Sequence, residues 1–238
     1  MTDAPDHSPT FQEVFREWAR FLLIAILLWL VLRTFLVEAY RIPTPSMENT
    51  LLVGDHLFVN KAVFGPEIPL LGIRLPALRE PVRGEVLVFD SVEEEGRKVV
   101  KRLIGLPGDT LAMHGGELYR DGLLVSEPYA LRRDGAKSES PDYRLKMRSW
   151  QLRYVVGDTT GYAPDLHEWG PLVVPPGQYF MMGDNRDDSY DGRYWGFLPR
   201  ASVRGTPLVI YYSYDPAEGG RFPALSAIRW DRVGLRPR

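Results

Sequence analysis

From Phe21 to Val37 the chain is apolar at every position but two, Arg33 and Thr34. A run of that length constrains the fold more than any other feature, because only a bilayer or a large protein core can cover it. As a helix rising about 1.5 Å per residue, Trp18 to Val37 spans roughly 30 Å, one bilayer core. Trp18 and Tyr40 then fall at the two interfaces, and Arg33 lies near enough to the far end to snorkel outward. Three readings stand: a buried core helix, a cleaved secretory signal and a single membrane anchor. The run is apolar all round, which argues against the first. Val37-Glu38-Ala39 has the small-x-small form of a cleavage site, but the run is long for a signal and lacks a strongly basic start. An anchor is therefore the expectation. Charge does not orient it, since Arg16 and Arg20 precede the run and Arg33 and Arg41 lie at or beyond its end.

The remainder reads as β. The 238 residues are 45% hydrophobic and 25% charged, with 22 glycines and 20 prolines. That suits one large or two small domains rich in short strands and turns. Strands are expected at Leu57–Val59, Glu85–Phe89, Lys98–Ile104, Glu117–Tyr119, Leu123–Val125, Leu152–Val156, Gln178–Met182 and Leu208–Tyr212. Arg120-Asp121-Gly122 is a hairpin signal. Gly-Asp pairs at Gly54, Gly108, Gly157 and Gly183 read as turns that need positive φ. Met1–Thr10 is polar and expected to be disordered. Phe64–Pro81 is an apolar, proline-rich excursion, either dipping into lipid or packed on the sheet. Arg132–Trp150 reads as a solvated excursion, and no long amphipathic helix is expected after the anchor. A net charge of -2 provides no basic field for nucleic acid, and the absence of cysteine removes disulfides and thiolate chemistry.

Ser46 lies in Ile42-Pro43-Thr44-Pro45-Ser46-Met47, shortly after the apolar run. A serine beside prolines is ordinarily a turn residue. Lys101 is more informative. On a strand it shares a face with Val99 and Leu103, among aliphatic side chains. Burial there lowers a lysine pKa, and a neutral lysine is a competent general base. The ordinary alternative is a strand-edge lysine reaching back to water. The four histidines (His7, His56, His114 and His167) lack partner spacing, so neither a histidine base nor a zinc site is expected, and no cofactor is implied. Gly183–Gly196 is dense in polar groups. Asp187-x-Ser189-x-Asp191-Gly192 matches the first half of a calcium loop, although Leu198 stands where the bidentate acid belongs. The calcium reading makes the chain a non-enzymatic, membrane-tethered β-domain. The structural reading is a rigid loop in which Asp184, Asp191, Arg186 and Arg193 pair with one another. Ser189 is then free to orient Lys101.

Together these pieces resemble bacterial type I signal peptidase, the serine–lysine leader peptidase family, over nearly the whole chain. The resemblance is carried by Ile42–Met47 with Thr50-Leu51 and Gly54-Asp55, by Arg83–Phe89, by Val100–Asp109 and by Gly183–Pro199. It implies Ser46 as nucleophile, Lys101 as general base and Ser189 as the serine that positions the lysine. Thr44 would join the Ser46 N–H in the oxyanion hole. Arg102, Asp184, Arg186, Asp191 and Arg193 would brace the site, and Ile42, Met47, Leu51 and Val100 would line a small apolar pocket. Pro45 and Asn49 depart from the family, which commonly has a small residue and a proline there. The implied fold is mainly β, a coiled antiparallel sheet forming the catalytic core with an inserted smaller region, after one N-terminal transmembrane helix. Residues 1–17 would be a cytoplasmic tail, 18–38 the anchor and 39–238 an extracytoplasmic peptidase domain, with 132–170 inserted. The partners implied are the lipid bilayer of the plasma membrane and exported preproteins, cut after Ala-x-Ala-type sequences. A related serine–lysine fold, the self-cleaving SOS-type repressor, would need a DNA-binding helical domain in place of the anchor.

Overall fold

The computed structural model describes residues 10–68, 71–133, 140–218, 220 and 222–237. Most of the tail expected to be disordered lies outside them. The apolar run forms α1 (Phe11–Val31), which continues through a π-helical turn to Leu36. It starts earlier than the apolar run because Thr10 and Glu13 close a capping box. It also ends earlier than expected, since Val37 already belongs to a strand. No side chain of α1 is buried against protein. The 26 residues Phe11–Leu36 are long and apolar enough to cross a bilayer.

The strands follow as β1 (Val37–Arg41), β2 (Asp55–Asn60), β3 (Glu67–Ile68), β4 (Ile73–Arg74), β5 (Val86–Asp90), β6 (Lys98–Gly105), β7 (Thr110–His114), β8 (Glu117–Arg120), β9 (Leu123–Leu124), β10 (Trp169–Val173), β11 (Gln178–Met182), β12 (Leu198–Pro199) and β13 (Val203–Ser213). Seven of them form one antiparallel sheet in the order β1-β2-β13-β5-β6-β11-β12. β13 ties its two halves together, pairing with β2 through residues 206–213 and with β5 through 203–205. Three register shifts along β13 bend it, and bulges of this kind coil a sheet. The mainly β, coiled antiparallel core is thus as expected.

β6 and β11 are neighbours in the sheet, so everything between them is an excursion. It carries the four-stranded sheet β10-β7-β8-β9 and a helix, α2 (Pro141–Gln151). This region begins before the expected 132–170, because β7 to β9 belong to it. Two further expectations are corrected here. Pro141–Gln151 is helical, with Ser140 as N-cap and proline in the first turn. Leu152–Val156 is the turn leaving that helix rather than a strand, touching β10 only through a bridge from Val155 to Leu172. Met147 is buried and Trp150 packs beside it, against a core that includes Trp169, Phe180 and Phe197. α2 is therefore anchored on this second core along one face, by Met147, Trp150 and Gln151, while its other face is exposed as expected. Residues 134–139 of that stretch lie outside the described residues. The Phe64–Pro81 excursion carries the β3–β4 hairpin. It is tied to the sheet at Phe64, which is buried against Leu87, Phe89, Leu103 and Val203, and by Arg74, which donates to Val203 O, and Glu80, which accepts from the Tyr179 hydroxyl. Leu71, Ile73, Leu75 and Leu78 of the same excursion are exposed.

Candidate active site

Ser46 sits in a single 3-10 turn, Pro45–Met47, just after β1. Pro45 presets the turn, and Met47 and Leu51 plug into the core beneath it together with Ile42, Leu57 and Val86. Lys101 lies on β6 opposite Leu87. It is only 4% exposed. Its Nζ donates to Ser46 Oγ at 2.6 Å, across 55 residues of sequence. Burial lowers the lysine pKa from 10.5 to about 8, against the opposing pull of Asp191. The lysine is therefore not the strand-edge kind that reaches to water. Thr44 Oγ1 lies 3.4 Å from Ser46 Oγ, on the same lip of the turn.

The Gly183–Trp195 segment holds this pair from behind. Asn185 N donates to the Ser46 carbonyl at 3.2 Å, and Asn185 Nδ2 reaches Pro45 O and Glu48. Arg102, beside the lysine on β6, clamps Asp184 through two hydrogen bonds of 2.7 and 2.6 Å. It also donates to Gly84 O and Thr50 Oγ1, and its guanidinium lies 4.0 Å from the centre of the Tyr129 ring. Asp191 and Arg193 form a second buried pair at 2.9 Å, and Asp191 also accepts the Gly183 N–H. Burial alone would push the Asp191 carboxyl up, but Arg193 outweighs it and holds the group below its usual value.

The expected mutual pairing of the four loop charges is corrected in part. Asp191 does pair with Arg193. Asp184 turns to Arg102, and Arg186 makes a bidentate pair with Glu127 at 2.6 and 2.7 Å. Glu127 and Tyr129 complete the scaffold without having been picked out from sequence, and Thr50 and Asn185, quoted only as part of the motifs, gain a role in it. Asp191 is committed to Arg193 and a backbone amide, and Asp187 accepts from Arg133 N. That leaves the calcium-loop reading short of free carboxylates. The bend at Asn49 has φ +91°, a left-handed conformation that proline cannot adopt and asparagine tolerates. The departure from the family pattern at that position thus fits the backbone.

Ser189 behaves differently from expectation. Its Oγ is buried and makes no hydrogen bond to Lys101, although it lies near enough to Asp191 to help keep that carboxylate ionised. Leu51 also departs: it is fully buried in the core under the turn, whereas Ile42, Met47 and Val100 do reach the cleft. That cleft, about 500 Å³, opens over Ser46 and Lys101 between the chain at Tyr40–Met47 and β6 at Lys98–Lys101. Three of the four Gly-Asp glycines adopt positive φ, as a turn requires. Gly183 does not. It is glycine because a Cβ there would meet Ser189 Oγ at 2.2 Å and the Ser46 carbonyl oxygen at 2.4 Å. Gly183→Ala is expected to cost about 1–3 kcal/mol by overpacking. By displacing the Ser46 turn it should also lower kcat/KM at least about 100-fold. Thermal melting and peptide cleavage measured on the same sample check both.

The match to known proteins agrees with this geometry. The family model described as signal peptidase, peptidase S26, matches residues 15–212. The chain belongs to that family. Signal peptidase I of Pseudomonas aeruginosa is 33% identical over 230 residues, covering 89% of this chain and 78% of its own. Signal peptidase I of Aquifex aeolicus is 34% identical over 251 residues, covering 91% and 93%. A crystal structure of a signal peptidase I from Enterococcus faecalis V583 is 32% identical and covers 55% of this chain and 98% of that one, with a TM-score of 0.37. As a member of the signal peptidase family the chain is a serine protease of signal-peptide removal.

Proposed function

We propose that Ser46 is the nucleophile and Lys101 the general base of this signal peptidase. The observation that carries the reading is the 2.6 Å contact between a hydroxyl and a buried amine whose pKa is about 8. Neutral Lys101 takes the Ser46 proton as Oγ attacks the carbonyl carbon of the scissile bond. The resulting ammonium then protonates the leaving amine. The Ser46 N–H and Thr44 Oγ1, both on the lip of the turn, face the oxyanion as it develops. Arg102, Asp184, Arg186, Asp191 and Arg193 act through the scaffold and do not touch substrate. Ser189 acts through Asp191.

Two backbone edges frame the cleft. β1 is an edge strand of the sheet. β11 pairs with β6 only from Arg102 to Gly105, which leaves Lys98–Lys101 without a strand partner on that side. An extended substrate segment fits between them by strand addition. Ile42, Met47 and Val100 then meet the residue before the cut, and a shallow apolar wall accepts alanine while excluding bulk. α1 crosses the plasma membrane with its amino end cytoplasmic and its carboxyl end carrying the β-domain to the outer surface. Anchoring confines enzyme and exported preprotein to one surface and raises their effective concentration. The test is incubation of the full chain with a preprotein carrying Ala-x-Ala at its signal boundary. Mass measurement should show two fragments from a single cut, the signal peptide ending at the second alanine and the mature chain beginning directly after it. Cleavage elsewhere, or none, would defeat the reading.

A further inference from the structure

A second cavity, about 210 Å³, opens at the carboxyl end of α1. Thr34 at the helix end and Glu38 and Tyr40 on β1 form one side of it, and the β3–β4 hairpin forms the other. It is smaller than pockets for drug-sized ligands, roughly 300–1,000 Å³, and suits a single small polar group.

Its charges are unevenly matched. Lys61 pairs with Glu38 at 3.2 Å, and Arg204 pairs with Glu67 at 2.5 Å and with Asp90. Arg74 lacks such a partner. Among the described residues no carboxylate reaches it, and its guanidinium donates only to the Val203 carbonyl, at 3.0 Å. It is half-buried, and burial together with the neighbouring guanidiniums of Arg204 and Arg200 lowers its pKa. The Tyr40 hydroxyl, also at this cavity, is buried and closes no hydrogen bond. Lys98, which also lines the cavity, pairs with Asp90. Four cations, Lys61, Arg74, Lys98 and Arg204, thus face three carboxylates, Glu38, Glu67 and Asp90, and Glu67 and Asp90 act on Arg74 only at longer range. One positive charge in excess, beside a buried hydroxyl whose nearest acidic neighbour is Glu38, describes a vacancy for one negative charge. Ile73 and Leu75, on either side of Arg74, are exposed, as is Leu71 in the adjoining turn. On a strand these flanking residues face away from the side that Arg74 uses. The hairpin thus turns exposed apolar side chains away from the cavity, and Thr34 at the end of the apolar helix lines the cavity's other side.

We propose that this cavity binds the phosphate of an anionic phospholipid headgroup, with Arg74 as principal ligand and Lys61, Arg204 and the Tyr40 hydroxyl as further donors. The proposal rests on the reading that α1 crosses the bilayer, which sets the cavity at headgroup depth. A single uncompensated cation matches the net charge of phosphatidylglycerol and not that of phosphatidylcholine, whose choline would add a second positive charge.

Native mass spectrometry of the full chain, released from detergent micelles doped equally with the two lipids, tests it. Phosphatidylglycerol should be retained in preference to phosphatidylcholine. Arg74→Gln should reduce that retention at least about tenfold, the effect of one lost charge-assisted hydrogen bond or more. Lys61→Gln should reduce it less, and Arg153→Gln, an exposed charge outside this cavity, should leave it unchanged. Equal retention of the two lipids, or retention undiminished by Arg74→Gln in a protein that melts normally, overturns the proposal. Free glycerol 3-phosphate retained as well as the lipid overturns the assignment to a lipid. The readout does not depend on catalysis, so failure of the proposed Ser46 chemistry would show separately, as absent peptide cleavage in lipid-free detergent, where Arg74→Gln should cleave normally.

Discussion

Lys101→Met is expected to abolish cleavage and to make the protein more stable at neutral pH. The loss of a general base removes about 10²–10⁴-fold by itself, and nucleophile and base acting as one unit lose more. Ser46→Ala should match it, and the double variant should be no worse than either. The stability effect follows from the sign of the pKa shift. Lys101 has a folded pKa of about 8, below its unfolded value of 10.5, because burial opposes the charge. Below pH 8 both states are protonated and the fold carries a buried ammonium. Between about 8 and 10.5 the unfolded chain binds more protons, so stability rises with pH. The full difference is about 3 kcal/mol, at about 1.4 kcal/mol per pKa unit. Methionine fills the same space without that cost. Its advantage over wild type should be largest below pH 8 and vanish by about pH 10.5. The same pKa sets the rate. In wild type, log kcat/KM should climb with unit slope to about pH 8 and then level off. A flat profile through that range, or a methionine variant that melts below wild type at pH 6, would remove Lys101 from the role of buried base.

How the chain announces this site differs from residue to residue. The apolar helix α1 is legible because seventeen residues with two polar exceptions admit few alternatives. β5 and β6 are legible because their apolar residues run continuously and turns bound them. The meeting of Ser46 and Lys101 is not legible from pattern. It requires β1, β5 and β6 to be arranged through β2 and β13, and β13 comes at the far end of the chain. Only the family resemblance placed the two together. α2 is a different case, since a signal was present and outweighed. Tyr143, Met147 and Trp150 recur at helical spacing after a Ser-Pro start, but the intervening charges made the stretch look solvated. Glu127 left no signal at all. A single acidic residue before a proline reads as surface, and nothing local says that Arg186 will bury it. The charged loop misled for the same reason. Its composition indicated ion pairing correctly, but each arginine had several acidic candidates, and burial from other elements decided among them.

Asp184→Asn should be the most damaging conservative change outside the catalytic pair. Asp184 is fully buried and Arg102 is 1% exposed. The substitution keeps the shape and removes the charge, leaving a buried guanidinium that faces Gly84 O, Thr50 and the Tyr129 ring without its carboxylate. Breaking a buried pair from one side costs about 3–5 kcal/mol. Chemical denaturation should report that as a lower midpoint at unchanged slope. Activity should fall further than stability explains. Asp184 precedes Asn185, whose amide holds the Ser46 carbonyl, and Asp184 O accepts from Leu131 N on the opposite side of the loop. A loosened Asp184 thus frees the loop that fixes the nucleophile's turn. Replacing both partners, Arg102→Met with Asp184→Leu, separates the two effects. Removing the charges together should recover much of the lost stability, since apolar substitutes for a buried pair are often neutral or better. It should not recover cleavage, because neither leucine nor methionine restores the hydrogen bond that Asp184 accepts from Thr50 or the one that Arg102 donates to Gly84 O. Recovery of both together would mean that the pair serves stability alone. Recovery of neither would mean that its specific geometry is what the fold needs.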